Sequence, residues 1–200
     1  MVKQMDIVRQ TKFINVAVAV AMCAAGVLLF LPLMDHTAAK MLIGVLYVVV
    51  GLAKICGYFS NDLYRLAFQY DLAVGLFALI FGVLFLVSPA RFDATLPNSI
   101  GSYAILESVF KLQIACDARR FGMRHWRPIL FSAILLCAAG VLTVISSYSD
   151  ELNEDIMRSV ALIAVGVENA WVTMYTVHVR ARKKKFDEWL EDDNFDGEDV

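Results

Sequence analysis

Five ionisable side chains interrupt otherwise apolar runs of this chain: Lys54, Asp71, Glu107, Lys111 and Glu168, the last followed by Asn169. A charge held at the middle of a bilayer costs ~2.5–3.5 kcal/mol on insertion scales, so a charge in such a run needs a purpose. Glu107 precedes Lys111 by four residues, the acid-first order that favours a same-face pair on a helix. Asp71 falls at the depth of Lys54 if the two runs are antiparallel, which makes an Asp71–Lys54 pair the expectation. Glu168 has no assigned cation and is therefore the most costly charge of the set. Lys54 and Lys111 each stand five residues before the end of their runs. At ~1.5 Å per residue this is a depth of about 7–8 Å, which a lysine can span by snorkelling. Two chemistries suit such a polar layer. One is a proton- or ion-linked site centred on Glu168; the other, the favoured expectation, is interhelical bonding that fixes a bundle.

Few other residues suggest reactivity. There is no Walker A motif, no GxSxG, no HExxH and no dinucleotide-binding glycine fingerprint. His36, His125 and His178 lie in separate regions. Cys23, Cys56, Cys116 and Cys137 form no CxxC pair and read as small apolar packing residues. The expectation is a non-enzymatic protein with no cofactor, no bound metal and no nucleic-acid partner.

The elements that must position the polar layer are membrane spans. Hydrophobic residues make up 59% of the 200 residues, against ~45–50% in soluble domains. A helix crosses the hydrocarbon with ~20 mostly apolar residues. Six runs meet or approach this: Ile14–Leu33, Met41–Phe59, Leu66–Val87, Ile100–Cys116, Pro128–Tyr148 and Ser159–Val179. The fourth is the weakest, being short and carrying Glu107 and Lys111. Thr37 is expected to cap the second helix, Asn61 or Asp62 the third, and Pro97-Asn98-Ser99 to open the fourth. The first run is longer than the 7–15 apolar residues of a signal peptide and reads as a retained span. Thirteen Lys and Arg residues flank one side of the six runs and three (Lys40, Arg91, Arg158) the other. By the positive-inside rule both termini are cytoplasmic. The fold class is all-α, a polytopic membrane bundle of six transmembrane helices. Residues 1–12 are a cytoplasmic segment, 13–180 the membrane domain and 181–200 a charged cytoplasmic tail.

The six runs are three copies of one αα-hairpin, spanning about 13–60, 65–118 and 124–180. Gly26, Gly82 and Gly140 align, each followed by Val-Leu, with Pro32 and Pro89 closing the first two copies. In the second helices Gly44, Gly101 and Ser159 align; seven residues on come Gly51, Ser108 and Gly166, and three further Lys54, Lys111 and Asn169. Small residues at recurring positions let helix backbones approach closely in lipid.

With these motifs in view, the chain resembles the HdeD-type acid-resistance membrane proteins, a bacterial family of short repeated helix hairpins. The resemblance rests on glycine-then-proline at the end of odd helices and Gly-x6-Gly/Ser in even ones, over about residues 13–180. The third copy departs from the pattern, lacking the proline and the lysine. The resemblance implies a bacterial inner-membrane protein linked to acid or envelope stress, and it supplies no catalytic residues. The alternative is a small proton- or ion-linked transporter or channel that uses the polar layer.

Between the fifth and sixth runs lie Asp150, Glu151, Glu154 and Asp155, against Arg158. Full protonation would take this segment from −3 to +1, so it is a candidate acid-responsive element, although an ordinary solvated loop is the simpler expectation. The tail begins RARKKK, suited to anionic headgroups. Its acidic end is expected to be disordered, with Trp189 and Leu190 in a short helix or a partner contact. The lipid bilayer is the expected partner, and a second copy or another membrane protein remains open.

Overall fold

The computed structural model describes residues 2–31, 35–59, 71–89, 96–120, 126–149 and 152–195, with side chains from 13 to 174 except 57 and 59. Every element among them is a helix: α1 (Val2–Phe30), α2 (His36–Phe59), α3 (Asp71–Val87), α4 (Leu96–Arg120), α5 (Trp126–Ser146) and α6 (Glu154–Phe195). The segments Phe13–Phe30, His36–Cys56, Trp126–Ser146 and Glu154–Met174 are long and apolar enough to cross a membrane. The 17-residue α3 is apolar but shorter. Outward faces remain apolar, with Val20, Val49, Ile80, Phe131 and Leu142 exposed. A helix exposed on an apolar face requires lipid or a partner on that side.

The fourth helix is longer than the expected Ile100–Cys116. Its low apolar content has a structural cause: twelve of its residues are buried, among them Glu107, Ser108 and Lys111. Ser99, Glu107, Ser108 and Lys111 face other helices, not lipid. Pro97 lies in its first turn, where the missing N–H costs no helical bond. Thr37 likewise falls within the first turn of α2, not at its cap; the Asp35 carbonyl accepts from the Ala39 N–H at 2.9 Å. Asn61 and Asp62 lie outside the described residues. The cap that forms is at α6, where Asn153 Oδ1 accepts from the Asp155 and Ile156 amides at 3.0 and 3.2 Å. α6 then continues through the basic run to Phe195, where a disordered acidic end was expected.

The glycines meet between hairpins. The closest antiparallel pairs are α2 with α3, α4 with α5, and α1 with α6. A Cβ added to Gly51 would lie 2.7 Å from the Gly75 carbonyl, and one on Gly75 would lie 2.9 Å from the Gly51 carbonyl. Gly101 and Gly140 face each other in the same way, at 2.7 and 2.8 Å. The third pair closes the ring: Gly26 abuts Ser159 and Ile163, and Gly166 abuts Ala19 and Cys23. Gly44 against Gly82, Gly101 against Gly140 and Ser159 against Gly26 are thus one contact repeated three times. Within each hairpin the two helices touch far less. The bundle is a ring in which the second helix of each copy clasps the first helix of the next.

Inside the ring, Tyr47 lies 5.3 Å from Tyr103 and 6.4 Å from Phe85, ring centre to ring centre. At the opposite end from the polar layer, Lys40 is buried and its Nζ donates to the Pro89 carbonyl at 2.8 Å. The lysine counted as an outer flanking charge therefore ties the start of α2 to the end of α3.

Candidate functional site

Lys54 stands five residues from the end of α2 and Asp71 is the first residue of α3; the tight α2–α3 packing brings them together at 3.0 Å. Lys54 Nζ also lies 2.9 Å from Glu107 Oε1. Glu107 Oε2 meets Lys111 one turn along α4 at 3.4 Å. Lys111 Nζ continues to Glu168 Oε2 on α6 at 3.2 Å. The five charges form one alternating ladder, Asp71–Lys54–Glu107–Lys111–Glu168, crossing four helices. The glutamates and Lys111 are less than 7% exposed, and Lys54 and Asp71 are 12% and 15% exposed.

Two expectations change here. Lys54 and Lys111 do not snorkel outward; both ammonium groups are consumed inside the bundle. Glu168, expected without a cation, has Lys111. It also accepts from Ser132 Oγ on α5 at 3.0 Å.

The repeat explains the centre of the ladder. Positions 54, 111 and 169 are equivalent in the three copies, and all three place a nitrogen on Glu107. The distances are 2.9 Å for Lys54 Nζ, 3.4 Å for Lys111 Nζ and 3.3 Å for Asn169 Nδ2. The residues equivalent to Glu107 are Val50 and Val165, both buried. One copy thus supplies a carboxylate and all three supply donors around it. A third lysine would add a cation to a centre that has one acid, so the neutral Asn169 suits the position.

Tyr103 and Ser132 were not anticipated. Tyr103 O–H donates to Glu107 Oε1 at 2.8 Å from one turn earlier. Its spacing of four from Glu107 was the available signal. Ser132 carried none, being a small polar residue in an apolar run with no partner near it in sequence.

A groove of about 660 Å³ runs between α5 and α6, passing Ser132 and Glu168 and reaching Pro128 and Trp171. Its walls are apolar, including Phe131, Leu135, Ile163 and Val167. Phe131 is 65% exposed and Val167 57%, so the groove opens on the outer face of the bundle. Glu168 Oε2 makes no hydrogen bond despite its proximity to Lys111.

The other candidates lie apart from the ladder. Of the loop carboxylates, Asp155 pairs with Arg158 at 2.8 Å and Glu154 is exposed at the start of α6. Asp150 and Glu151 lie outside the described residues. The tail side chains, Trp189 and Leu190 included, also lie outside them. At the start of α5, Arg119 and Arg127 stand over Trp126 at 5.1 and 5.6 Å.

The chain matches one family twice, over residues 17–87 and 73–145, under the description "Short repeat of unknown function (DUF308)". The two matches start 56 residues apart (17 and 73), the same offset as Gly26 and Gly82. Each runs through an odd helix, an even helix and the next odd helix, and so contains one of the tight helix pairs. Comparison with curated proteins and with solved structures finds no match. With more than half of its length matched and the repeat visible in its packing, the chain belongs to the DUF308 short-repeat family.

Proposed function

We propose that this is a non-enzymatic membrane protein of the HdeD type, contributing to acid or envelope stress resistance in a bacterial inner membrane. Both termini are cytoplasmic in this reading, as the thirteen-to-three distribution of basic flanking residues supports. The observation that carries it is the closure of the ladder: each of the five buried or half-buried charges has an opposite charge within 3.4 Å. Charges committed to one another hold helices together and are not poised to react. The groove that reaches Glu168 is walled by apolar side chains, which suits a lipid-side opening better than an aqueous path.

The test is deletion of the gene followed by survival across a pH series, complemented by the natural chain or by Glu168→Gln. The reading expects survival at low pH to fall on deletion and return with either version. Equal survival of deleted and intact strains at every pH would remove the stress role.

A second reading, proton- or ion-linked transport, has one observation in its favour. The ladder holds three carboxylates against two ammonium groups, and Glu168 is its outermost member on the groove. Reconstituted vesicles would then show a proton flux that Glu168→Gln abolishes. Flux equal to that of empty vesicles would dismiss it.

A further inference from the structure

α4 and α5 pack through Gly101 and Gly140, and that pairing sets the end of α4 beside the start of α5. Arg119 and Arg120 stand in the last turn of α4, Trp126 and Arg127 in the first turn of α5. The guanidinium groups of Arg119 and Arg127 lie 5.1 and 5.6 Å from the centre of the one Trp126 ring. The indole is half-buried and the three arginines are exposed. A ring contact of this kind holds a guanidinium by its face and leaves its N–H groups to donate elsewhere.

The charge gathered there is uncompensated. Among the described residues, no carboxylate pairs with Arg119, Arg120 or Arg127, and Asp117, half-buried on the same helix, meets none of them. The first turn of α5 holds no acid, and the helix dipole disfavours a cation there, so Arg127 sits at a local cost. Three arginines with no acid among them suit an anion with several acceptor oxygens, the geometry that phosphate offers.

The depth of the patch and the surface beside it identify the carrier of that phosphate. Trp126 opens a segment long and apolar enough to cross a membrane, and tryptophan favours the headgroup level. Phe131 is four residues after Arg127 and Leu135 four further, so the three share one face of α5. Phe131 and Leu135 are exposed. The apolar groove between α5 and α6 reaches Pro128, the residue after Arg127. An apolar track therefore leads from the arginines into the bilayer, and a free phosphate or a nucleic acid would leave it empty.

We infer that Arg119, Arg120 and Arg127 form a docking surface for the headgroup of an anionic phospholipid, with an acyl chain lying along Phe131 and Leu135. The phosphate oxygens accept from the guanidinium groups that Trp126 holds. A zwitterionic lipid brings an ammonium group of its own and offsets less of the charge. This surface goes beyond the stress role, and its test reads lipid contact and not survival.

Trp126 is the reporter. The full chain, with Trp171→Phe and Trp189→Phe so that one tryptophan remains, is placed in nanodiscs of mixed phosphatidylcholine and phosphatidylglycerol. Bromine, which quenches tryptophan on contact, is carried on the acyl chains of the phosphatidylglycerol in one preparation. In the other, the same mole fraction of phosphatidylcholine carries it. The expected result is stronger quenching by the labelled phosphatidylglycerol, with an excess that falls as salt rises. Arg119→Gln with Arg127→Gln lowers the preference about tenfold or more. Arg119→Lys with Arg127→Lys keeps the charge, loses the planar fork and retains part of the preference. If the glutamine variant fails to fold, the two labels and their salt dependence in the unaltered arginine chain still decide. Equal quenching by the two labels would overturn the inference. So would an excess undiminished in the glutamine variant, which would assign the lipid to the basic run from Arg180 to Lys185. Loss of the excess on adding inorganic phosphate or a single-stranded oligonucleotide would also overturn it, by making a soluble anion the occupant.

Discussion

Lys111→Met tests the ladder where its consequences are largest. The change keeps length and removes the ammonium that joins Glu107 at 3.4 Å to Glu168 at 3.2 Å. At an effective dielectric of about 20, each contact is worth about 5 kcal/mol of Coulomb energy before desolvation. Desolvation of the ions offsets most of that in the intact protein, so the pair adds little net stability. Removing one partner is different, because the carboxylates stay buried without compensation, at a cost of about 3–5 kcal/mol. Glu107 retains Lys54, Tyr103 and Asn169, so the orphan is Glu168, with Ser132 alone. The second change, Glu168→Gln, should therefore be stabilising in the Lys111→Met background by about 1–3 kcal/mol, as coupled neighbours allow. Thermal unfolding of the purified protein in detergent measures both. With ~2–4 °C per kcal/mol for a chain of this size, Lys111→Met lowers the midpoint by roughly 6–20 °C and the double variant recovers part of it. If the double variant is no more stable than Lys111→Met alone, the two groups are not coupled and the ladder is wrong.

Other consequences follow from the same geometry. Gly101→Val places its first carbon 2.7 Å from the Gly140 carbonyl and should destabilise by at least about 1–3 kcal/mol, read as a lower unfolding midpoint. Asn169→Lys adds a third cation around Glu107 and should lower the midpoint, whereas Asn169→Gln, still a neutral donor, should do so less. Lys40→Met leaves the half-buried Pro89 carbonyl without its lysine donor and should cost about 1 kcal/mol or more in the same assay. Changing Asp150, Glu151, Glu154 and Asp155 to their amides should leave the pH–survival curve unaltered if this segment is an ordinary loop; a shifted curve would give it a sensing role.

Much of the helix plan was legible because apolar length and small-residue spacing are local properties. The Asp71–Lys54 proximity could be reasoned from the short link between their helices, and Glu107–Lys111 from the four-residue spacing on one helix. The closing of the ring was not legible. A stripe such as Gly44 and Gly51 says that some backbone comes close, without saying whose. The α1–α6 contact joins positions as distant as Cys23 and Ile163, 140 residues apart. The direction of the lysines was hidden for the same reason. Snorkelling and inward pairing are both open to a lysine near a helix end, and the choice depends on which face the next hairpin covers. α4 looked weak because hydropathy counts residue types and not their partners. Its Glu107 and Lys111 are affordable in a membrane because Lys54, Tyr103, Asn169 and Glu168 meet them there.

The central claim is that three repeats close into a ring through α1 and α6. Cys23 tests it directly: a Cβ on Gly166 would lie 2.6 Å from its sulfur and 2.7 Å from the Ala19 carbonyl, so α1 and α6 must part slightly to admit the new side chain beside Cys23. With Cys56, Cys116 and Cys137 changed to serine, Gly166→Cys should form an intramolecular disulfide with Cys23 under mild oxidation. Mass spectrometry of the digested monomer would detect it. Gly82→Cys in the same background, on the helix that faces α2, should form none. A bond from Cys23 to Gly82→Cys in place of Gly166→Cys would contradict the ring.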